Sequence, residues 1–141
     1  MIVAYIDSSV LLKRVVEDQG ADAARTELRA IDRQGGILVS SSLAWIEVSR
    51  ALHRLGHDGD TTPYDALVDT ALSGVAEHPI TAQVVALARR LGPPGLRSLD
   101  AIHLASALLA DASVVLTCDN RLADAARQAH LVVQIPGGPR R

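Results

Sequence analysis

The chain has 141 residues, of which 48% are hydrophobic and 21% charged, and its formal net charge is -2. These values predict one compact globular domain, because a disordered chain would have fewer apolar residues and more net charge. The single cysteine, Cys118, excludes a disulfide-stapled secreted scaffold. A chain with so little net charge has no overall basic field, so any contact with nucleic acid must depend on local patches or on bound metal.

The first apolar run, residues 2–6, ends at Asp7 and is too short for a signal peptide. No segment approaches the roughly 20 apolar residues that a membrane span needs. We therefore expect a soluble, cytoplasmic protein that does not contact a membrane.

Short β-branched runs alternate with segments of helical spacing along the chain. In chain order, we predict a strand at 2–6, helices at 9–16 and 22–33, a strand at 37–39, helices at 43–55 and 64–72, a strand within 75–80, helices at 81–91 and 99–110, a strand at 114–117, a helix at 121–129 and a strand at 131–135. The strand within 75–80 contains Pro79, which would restrict it to a sheet edge. This alternation predicts an α/β fold whose mainly parallel sheet has four to five strands and is covered on both faces.

Cap and loop residues complete this prediction. Ser42, Pro63, Ser98 and Asn120 are placed as cap or first-turn residues of four of the helices. Residues 56–62 and 92–95 are expected to form surface loops, and residues 136–141 a flexible, mildly basic tail.

Four carboxylates stand in apolar surroundings. Asp7 directly follows the first predicted strand, and Asp119 follows the strand at 114–117. In an open parallel sheet, ligands bind beyond the carboxyl ends of the strands. Asp100 begins a helix that is apolar on nearly every side, and Glu47 lies at the edge of an apolar helix face.

Each of these residues also has a purely structural explanation. The two strand-end aspartates could cap the helices that follow them. Asp100 could lie in a first turn behind a Ser98 cap, where the helix dipole favours it. Glu47 could pair with Arg50 one turn further along.

The four carboxylates are more informative together. If they converge, their mutual repulsion would be relieved by a divalent cation. Ligation by carboxylates alone selects Mg²⁺ or Mn²⁺ over zinc. Ser9 and Thr117 could add hydroxyl groups, since each lies two residues from an aspartate on the same side of an extended chain.

The segments that carry these residues resemble those of PIN-domain ribonucleases, specifically the VapC-type toxins of toxin–antitoxin pairs. The matching segments are residues 6–11 (IDSSVL), 42–48 (SLAWIEV), 97–105 (RSLDAIHLA) and 116–123 (LTCDNRLA). They occur in the family's order, and each contains one acidic residue. The resemblance implies a three-layer α/β/α sandwich over residues 1–135, a homodimer, a cognate antitoxin and an RNA substrate.

Carried over residue by residue, the resemblance also implies an acidic site, two supporting hydroxyls and two candidate contacts to the RNA backbone. The acidic residues, catalytic and metal-binding, are Asp7, Glu47, Asp100 and Asp119; the hydroxyls belong to Ser9 and Thr117; the arginines are Arg97 and Arg121. The cofactor would be Mg²⁺, with Mn²⁺ as a substitute. A metal-activated water would then cleave RNA to leave 5′-phosphate and 3′-hydroxyl ends.

The sequence also allows other interpretations. His103 lies three residues after Asp100 and could bind metal or move a proton, but a hydrogen-bonded core histidine is the simpler expectation on so apolar a helix. A phosphoaspartate receiver would need a lysine after a late strand, whereas the only lysine is Lys13. A haloacid-dehalogenase-like phosphatase would need Asp-x-Asp, whereas Asp7 is followed by two serines. The stronger alternative is a catalytically silent PIN-fold module that binds RNA or protein.

Overall fold

A computed structural model describes residues 1–56 and 64–138. Its strands are β1 (Val3–Ile6), β2 (Ile37–Ser41), β3 (Val75–His78), β4 (Val114–Leu116) and β5 (Val133–Gln134). Its helices are α1 (Ser8–Leu12), α2 (Ala21–Arg33), α3 (Ser42–Leu55), α4 (Tyr64–Leu72), α5 (Ala82–Ala88), α6 (Ser98–Leu109) and α7 (Asn120–Gln128). The five strands form one parallel sheet in the order β3–β2–β1–β4–β5.

The strands alternate between two hydrophobic cores, as a sheet buried on both faces requires. On one face, Ala4, Ile6 and Leu116 pack with residues of α1, α2, α3 and α4. On the other face, Tyr5 and Val115 pack with residues of α6 and α7. The expected α/β fold with a covered parallel sheet is confirmed, and helices on both faces make three layers.

The strand expected within 75–80 is present as β3, and it lies at one edge of the sheet. Pro79 directly follows its last residue. The position agrees with the chemistry of proline, which has no N–H to give to a neighbouring strand.

Six of the seven expected helix starts differ from the observed ones by one residue. Ser42 is in the first turn of α3, as expected, and the N-cap is Ser41, whose hydroxyl accepts the Leu43 N–H. The N-cap of α6 is Arg97, without a side-chain cap, so Ser98 is the first helical residue. Asn120 is the first residue of α7. Pro63 and residues 57–62 of the expected loop lie outside the described residues.

The first residues after β5 are packed against the domain. Pro136 is buried, and the Gly138 N–H donates to the Ile135 carbonyl over 2.9 Å. Residues 139–141, the rest of the expected tail, lie outside the described part of the chain. Within that part, no helix is long and apolar enough to cross a membrane.

Candidate active site

The sheet order brings the ends of β1 and β4 together. Ile6 pairs with Leu116 in register, and the Asp7 N–H extends this ladder by donating to the Leu116 carbonyl over 3.2 Å. Asp7 and Thr117 are therefore neighbours at the carboxyl edge of the sheet. This is the edge at which open parallel sheets bind ligands.

Asp7 is held by hydrogen bonds on both carboxylate oxygens. Its Oδ1 accepts from the Ser9 hydroxyl at 2.5 Å and from the Val10 N–H at 3.3 Å, and its Oδ2 accepts from the Thr117 hydroxyl at 2.6 Å. The residue is only 4% exposed. Burial raises the pKa of Asp7, against the opposing effects of the nearby His103 and of these three donors.

Thr117 connects Asp7 to Asp119. Its hydroxyl oxygen accepts the Asp119 N–H at 3.0 Å while donating to Asp7. Asp119 in turn caps α7, since its Oδ1 accepts the Arg121 N–H at 2.9 Å. The Ser9 hydroxyl oxygen accepts the Cys118 N–H at 3.0 Å, which closes a second link between β1 and β4.

Asp100 lies in the first turn of α6 and is 8% exposed. Its carboxylate accepts the Arg97 N–H, but its buried Oδ2 has no hydrogen-bond partner among the described residues. Burial raises the pKa of Asp100, and the negative charge of Asp119 raises it further. This oxygen is a buried acceptor that a positive charge would stabilise.

Glu47 is held by residues far from it in sequence. Its Oε1 accepts from the Ser8 hydroxyl at 3.2 Å and lies 2.6 Å from His103 Nε2. On the other side of the imidazole ring, His103 Nδ1 lies 2.6 Å from the Tyr5 hydroxyl, whose oxygen accepts the Ser41 N–H at 3.2 Å. Burial raises the pKa of Tyr5 well above its usual range, so the phenol keeps its proton.

The contacts of Glu47 correct one structural explanation and confirm another. The pairing of Glu47 with Arg50 is wrong, because the carboxylate is directed to Ser8 and His103 instead. His103 is 3% exposed and hydrogen-bonded through both ring nitrogens, which confirms a hydrogen-bonded core histidine.

Sequence reasoning did not identify Tyr5 or Ser8 as part of this site. Tyr5 lies inside a strand of core residues, where a tyrosine is ordinary packing. The available signal was its position two residues before Asp7, on a strand otherwise made of aliphatic residues. Ser8 lies in a matched motif, but the resemblance implies no role for it.

Arg97 and Arg121 are both exposed and stand beside the acidic residues. The positive charge of Arg97 lowers the pKa of Asp100, and the Arg121 backbone is bonded to Asp119. Cys118 is half-buried, and its burial raises the pKa of the thiol. A thiol kept protonated is a poor nucleophile, so packing is the better interpretation of Cys118.

We call Asp7, Glu47, Asp100 and Asp119 the acidic cluster. Hydrogen bonds or charge interactions link all four through Thr117 and His103. Within the described chain, no three His, Cys, Asp or Glu side chains are already grouped as one metal site. The donor chemistry nevertheless fits a hard cation, because every candidate ligand is a carboxylate and the buried Asp100 Oδ2 has no hydrogen-bond partner among the described residues.

Comparison with known proteins agrees with this fold and order of motifs. Residues 4–128 match the family model described as PIN domain. The chain is 36% identical to Ribonuclease VapC47 of Mycobacterium tuberculosis (strain CDC 1551 / Oshkosh) over 138 residues, which are 96% of this chain and 98% of the relative.

Two further similarities span nearly the whole chain. Ribonuclease VapC46 of Mycobacterium tuberculosis (strain ATCC 25618 / H37Rv) is 38% identical over 138 residues, with 96% of this chain and 99% of the relative covered. A crystal structure of VapBC2 from Rickettsia felis, bound to a DNA fragment from their promoter, has a chain that superposes with a TM-score of 0.72 at 12% identity. That match covers 95% of this chain and 98% of the other.

Proposed function

The chain belongs to the PIN domain family, and from that premise we propose that it is a VapC-type ribonuclease that acts as the toxin of a toxin–antitoxin pair. Two relatives named ribonucleases align with 96% of the chain, which supports RNA cleavage. Within the chain, the observation that carries the proposal is the acidic cluster at the carboxyl edge of the sheet, with a buried Asp100 oxygen that no described residue bonds.

The acidic cluster is proposed to hold Mg²⁺ or Mn²⁺, with Asp7 and Asp100 as the main ligands and Glu47 and Asp119 in support. The raised pKa values of Asp7 and Asp100 support this assignment, because a nearby cation offsets the cost of burying their charges. When bound, such a cation neutralises charge on the scissile phosphate and lowers the pKa of a water molecule.

The remaining polar residues of the site hold and orient the reacting groups. Ser9 and Thr117 donate to opposite oxygens of Asp7 and so fix the orientation of its carboxylate. Glu47 would bind the cation, directly or through water, or orient the attacking water. Attack by water rather than by the RNA 2′-hydroxyl leaves a 5′-phosphate and a 3′-hydroxyl.

Arg97 and Arg121 are proposed contacts for the RNA backbone. Both are exposed beside the acidic cluster, and a guanidinium group can hold a phosphate through two parallel hydrogen bonds. Positive side chains at this position would offset the repulsion between RNA and the acidic residues.

The proposal includes an antitoxin partner and a homodimer acting in the cytoplasm. The antitoxin is supported by the fold similarity to a VapBC2 structure, and a guanidinium of such a partner could pair with two carboxylates of the acidic cluster. Residues 1–135 would form the nuclease domain, with 136–141 as its tail.

The alternative is a catalytically silent PIN-fold module that binds RNA or protein. All four acidic residues are present, which weighs against it. The alternative also makes a different prediction, because a binding module would keep its function when Asp100 becomes Asn.

The test is cleavage of total cellular RNA by purified protein, free of antitoxin, with Mg²⁺ or Mn²⁺ and with EDTA. Asp7→Asn and Asp100→Asn are assayed in parallel, and Asp69→Asn, which changes an exposed aspartate of α4, is the matched control. New 5′ ends are mapped and their phosphorylation is determined.

Discrete cuts that require metal, carry 5′-phosphates and disappear in both site variants but not in the control would support the proposal. Wild-type cleavage in excess EDTA would refute the metal requirement. Wild-type cleavage by either site variant would refute the assignment of that aspartate.

A further inference from the structure

A series of hydrogen bonds, buried at Tyr5 and His103, leads from the carboxyl end of β2 to the acidic cluster. It runs from the Ser41 N–H to the Tyr5 hydroxyl, from Tyr5 to His103 Nδ1, and from His103 Nε2 to Glu47 Oε1. Tyr5 is 0% exposed and His103 3%, so water does not compete for the contact between them, whereas the Glu47 side chain at the end of the series is 28% exposed. The two rings also meet edge to face, with centroids 5.8 Å apart.

The proton positions in this series of hydrogen bonds follow from the groups at its two ends, the Ser41 N–H and the Glu47 carboxylate. A carboxylate can only accept, so the short contact to Glu47 requires a proton on His103 Nε2. In a neutral imidazole, Nδ1 is then the acceptor, and the Tyr5 hydroxyl must be its donor. The Tyr5 oxygen meanwhile accepts the backbone N–H of Ser41. With a neutral imidazole, every group in this series of hydrogen bonds thus has one direction of donation.

These hydrogen-bonded residues lie on, or directly beside, the elements that carry three of the proposed ligands. Tyr5 is in β1, two residues before Asp7. His103 is in α6, one turn after Asp100. These hydrogen bonds therefore connect β1 and α6 to Glu47 of α3, a helix that packs on the opposite face of the sheet from α6.

Packing alone does not account for these residue types. A phenylalanine and a leucine would fill the same core without buried polar groups, which cost free energy unless they are satisfied. What the polar pair adds is a donor directed at Glu47. Both the Ser8 and the His103 bonds arrive at Glu47 Oε1, so Oε2 receives neither of them.

We propose that His103 and Tyr5 are positioning residues that hold Glu47 by its Oε1 and direct its Oε2 to the divalent cation or its water. The inference rests on the proposed metal-dependent ribonuclease function. Neither residue contacts the reacting atoms, and each acts only through Glu47. Outer hydrogen bonds of this kind change metal affinity or activity by about 10- to 100-fold when they are removed.

The test uses three variants of the full chain. His103→Leu removes the donor to Glu47, His103→Gln restores an N–H donor at a similar reach, and Tyr5→Phe removes only a hydroxyl and keeps the ring. His53→Leu, which changes an imidazole of α3 whose side chain is 60% exposed, is the matched control. Circular dichroism and thermal melts establish that each variant is folded.

Two measurements are made on each folded variant. Mn²⁺ affinity is measured by calorimetry without RNA, and kcat and KM are measured separately on a mapped substrate. We expect Mn²⁺ affinity or kcat to fall about 10- to 100-fold in His103→Leu. The same quantity should fall by a smaller factor in Tyr5→Phe. KM should stay near the wild-type value, His103→Gln should recover most of the loss, and His53→Leu should match the wild type.

A third measurement reads the proton positions directly. Nitrogen-15 NMR of the metal-free protein in mildly alkaline buffer should show His103 protonated on Nε2 in the wild type. An Nδ1–H tautomer would overturn the proposal. So would wild-type Mn²⁺ affinity and kcat in His103→Leu and Tyr5→Phe, since Tyr5→Phe tests the idea even if the leucine variant fails to fold.

The result also separates this inference from the proposed function. If the wild type binds Mn²⁺ and cuts RNA while the variants do so equally well, only the positioning role is refuted. If the wild type neither binds Mn²⁺ nor cuts RNA, the proposed function fails and the positioning role fails with it.

Discussion

Replacing Asp100 by Asn should stabilise the metal-free protein while removing its response to metal. Asp100 is only 8% exposed, and one oxygen of its carboxylate has no partner among the described residues. The negative charge of Asp119 also repels this carboxylate. The substitution removes the charge that is held in these surroundings. An asparagine keeps an acceptor for the Arg97 N–H. A buried unsatisfied group costs about 1–3 kcal/mol, and a charged one more. Because the new amide also needs a partner, we expect a net gain of about 1–2 kcal/mol.

For 141 residues, this gain corresponds to a rise in Tm of roughly 3–7 °C. The assay is thermal and urea unfolding in EDTA and in saturating Mn²⁺, with Asp69→Asn as the exposed control. Metal at about 100 times its Kd should stabilise the wild type by roughly 2.7 kcal/mol and the variant much less. The order of stability should therefore reverse when metal is added.

The pH dependence gives a second check on the same reasoning. Burial raises the pKa of Asp100 above its ordinary 3.8, so the folded state binds this proton more tightly than the unfolded state. Wild-type stability should then fall, relative to the variant, as the pH rises from 3.8 through the raised value. A variant that is less stable than the wild type in EDTA at neutral pH would refute the argument that this charge is unfavourably buried.

Three further predictions concern the neighbouring residues and the assembly. Thr117→Val should lower the free energy of unfolding in urea melts by about 1–3 kcal/mol. The reason is that Asp7 loses a donor and the Asp119 N–H loses its acceptor. Unchanged stability would show that water replaces both contacts. Asp119→Ala should lower the free energy of unfolding by about 1 kcal/mol, because it removes the N-cap of α7. Asp119→Asn should keep the cap and lose only the charge. Equal melting temperatures for the two variants would contradict the capping role. Sedimentation at micromolar concentration should show a dimer, and a monomer there would refute that expectation.

The sheet was largely predictable because its signals are local. The β-branched runs marked four strands, and Pro79 placed the fifth at an edge, as β3 is. The ends of helices were less predictable, because adjacent residues compete for the same cap. Ser41 and Ser42 are equally good caps in composition, and only the extended backbone of Ser41 (φ -70°, ψ 150°) decides between them.

The acidic cluster was predictable residue by residue but not as an arrangement. Periodicity places Asp7 and Asp119 at strand ends, but only the pairing of β1 with β4 makes those ends adjacent. The alternative pairing of Glu47 with Arg50 was wrong because the i,i+3 rule considers only residues of the same helix. Its actual partner, His103, lies 56 residues away, and Tyr5 lies 98 residues from His103.

The structural and functional explanations of the aspartates are compatible rather than exclusive. Asp7 and Asp119 each cap a helix, and Asp100 lies in a first turn, so the partial positive charge of three helix ends faces the acidic cluster. Such an end stabilises a nearby anion by about 0.3–1 kcal/mol, whereas two unit charges roughly 4 Å apart near a protein surface repel by about 4 kcal/mol. Helix ends therefore reduce the cost of gathering these carboxylates without cancelling it. The uncancelled part is what a cation would relieve, and it is also the reason that removing one of the charges should stabilise the metal-free protein.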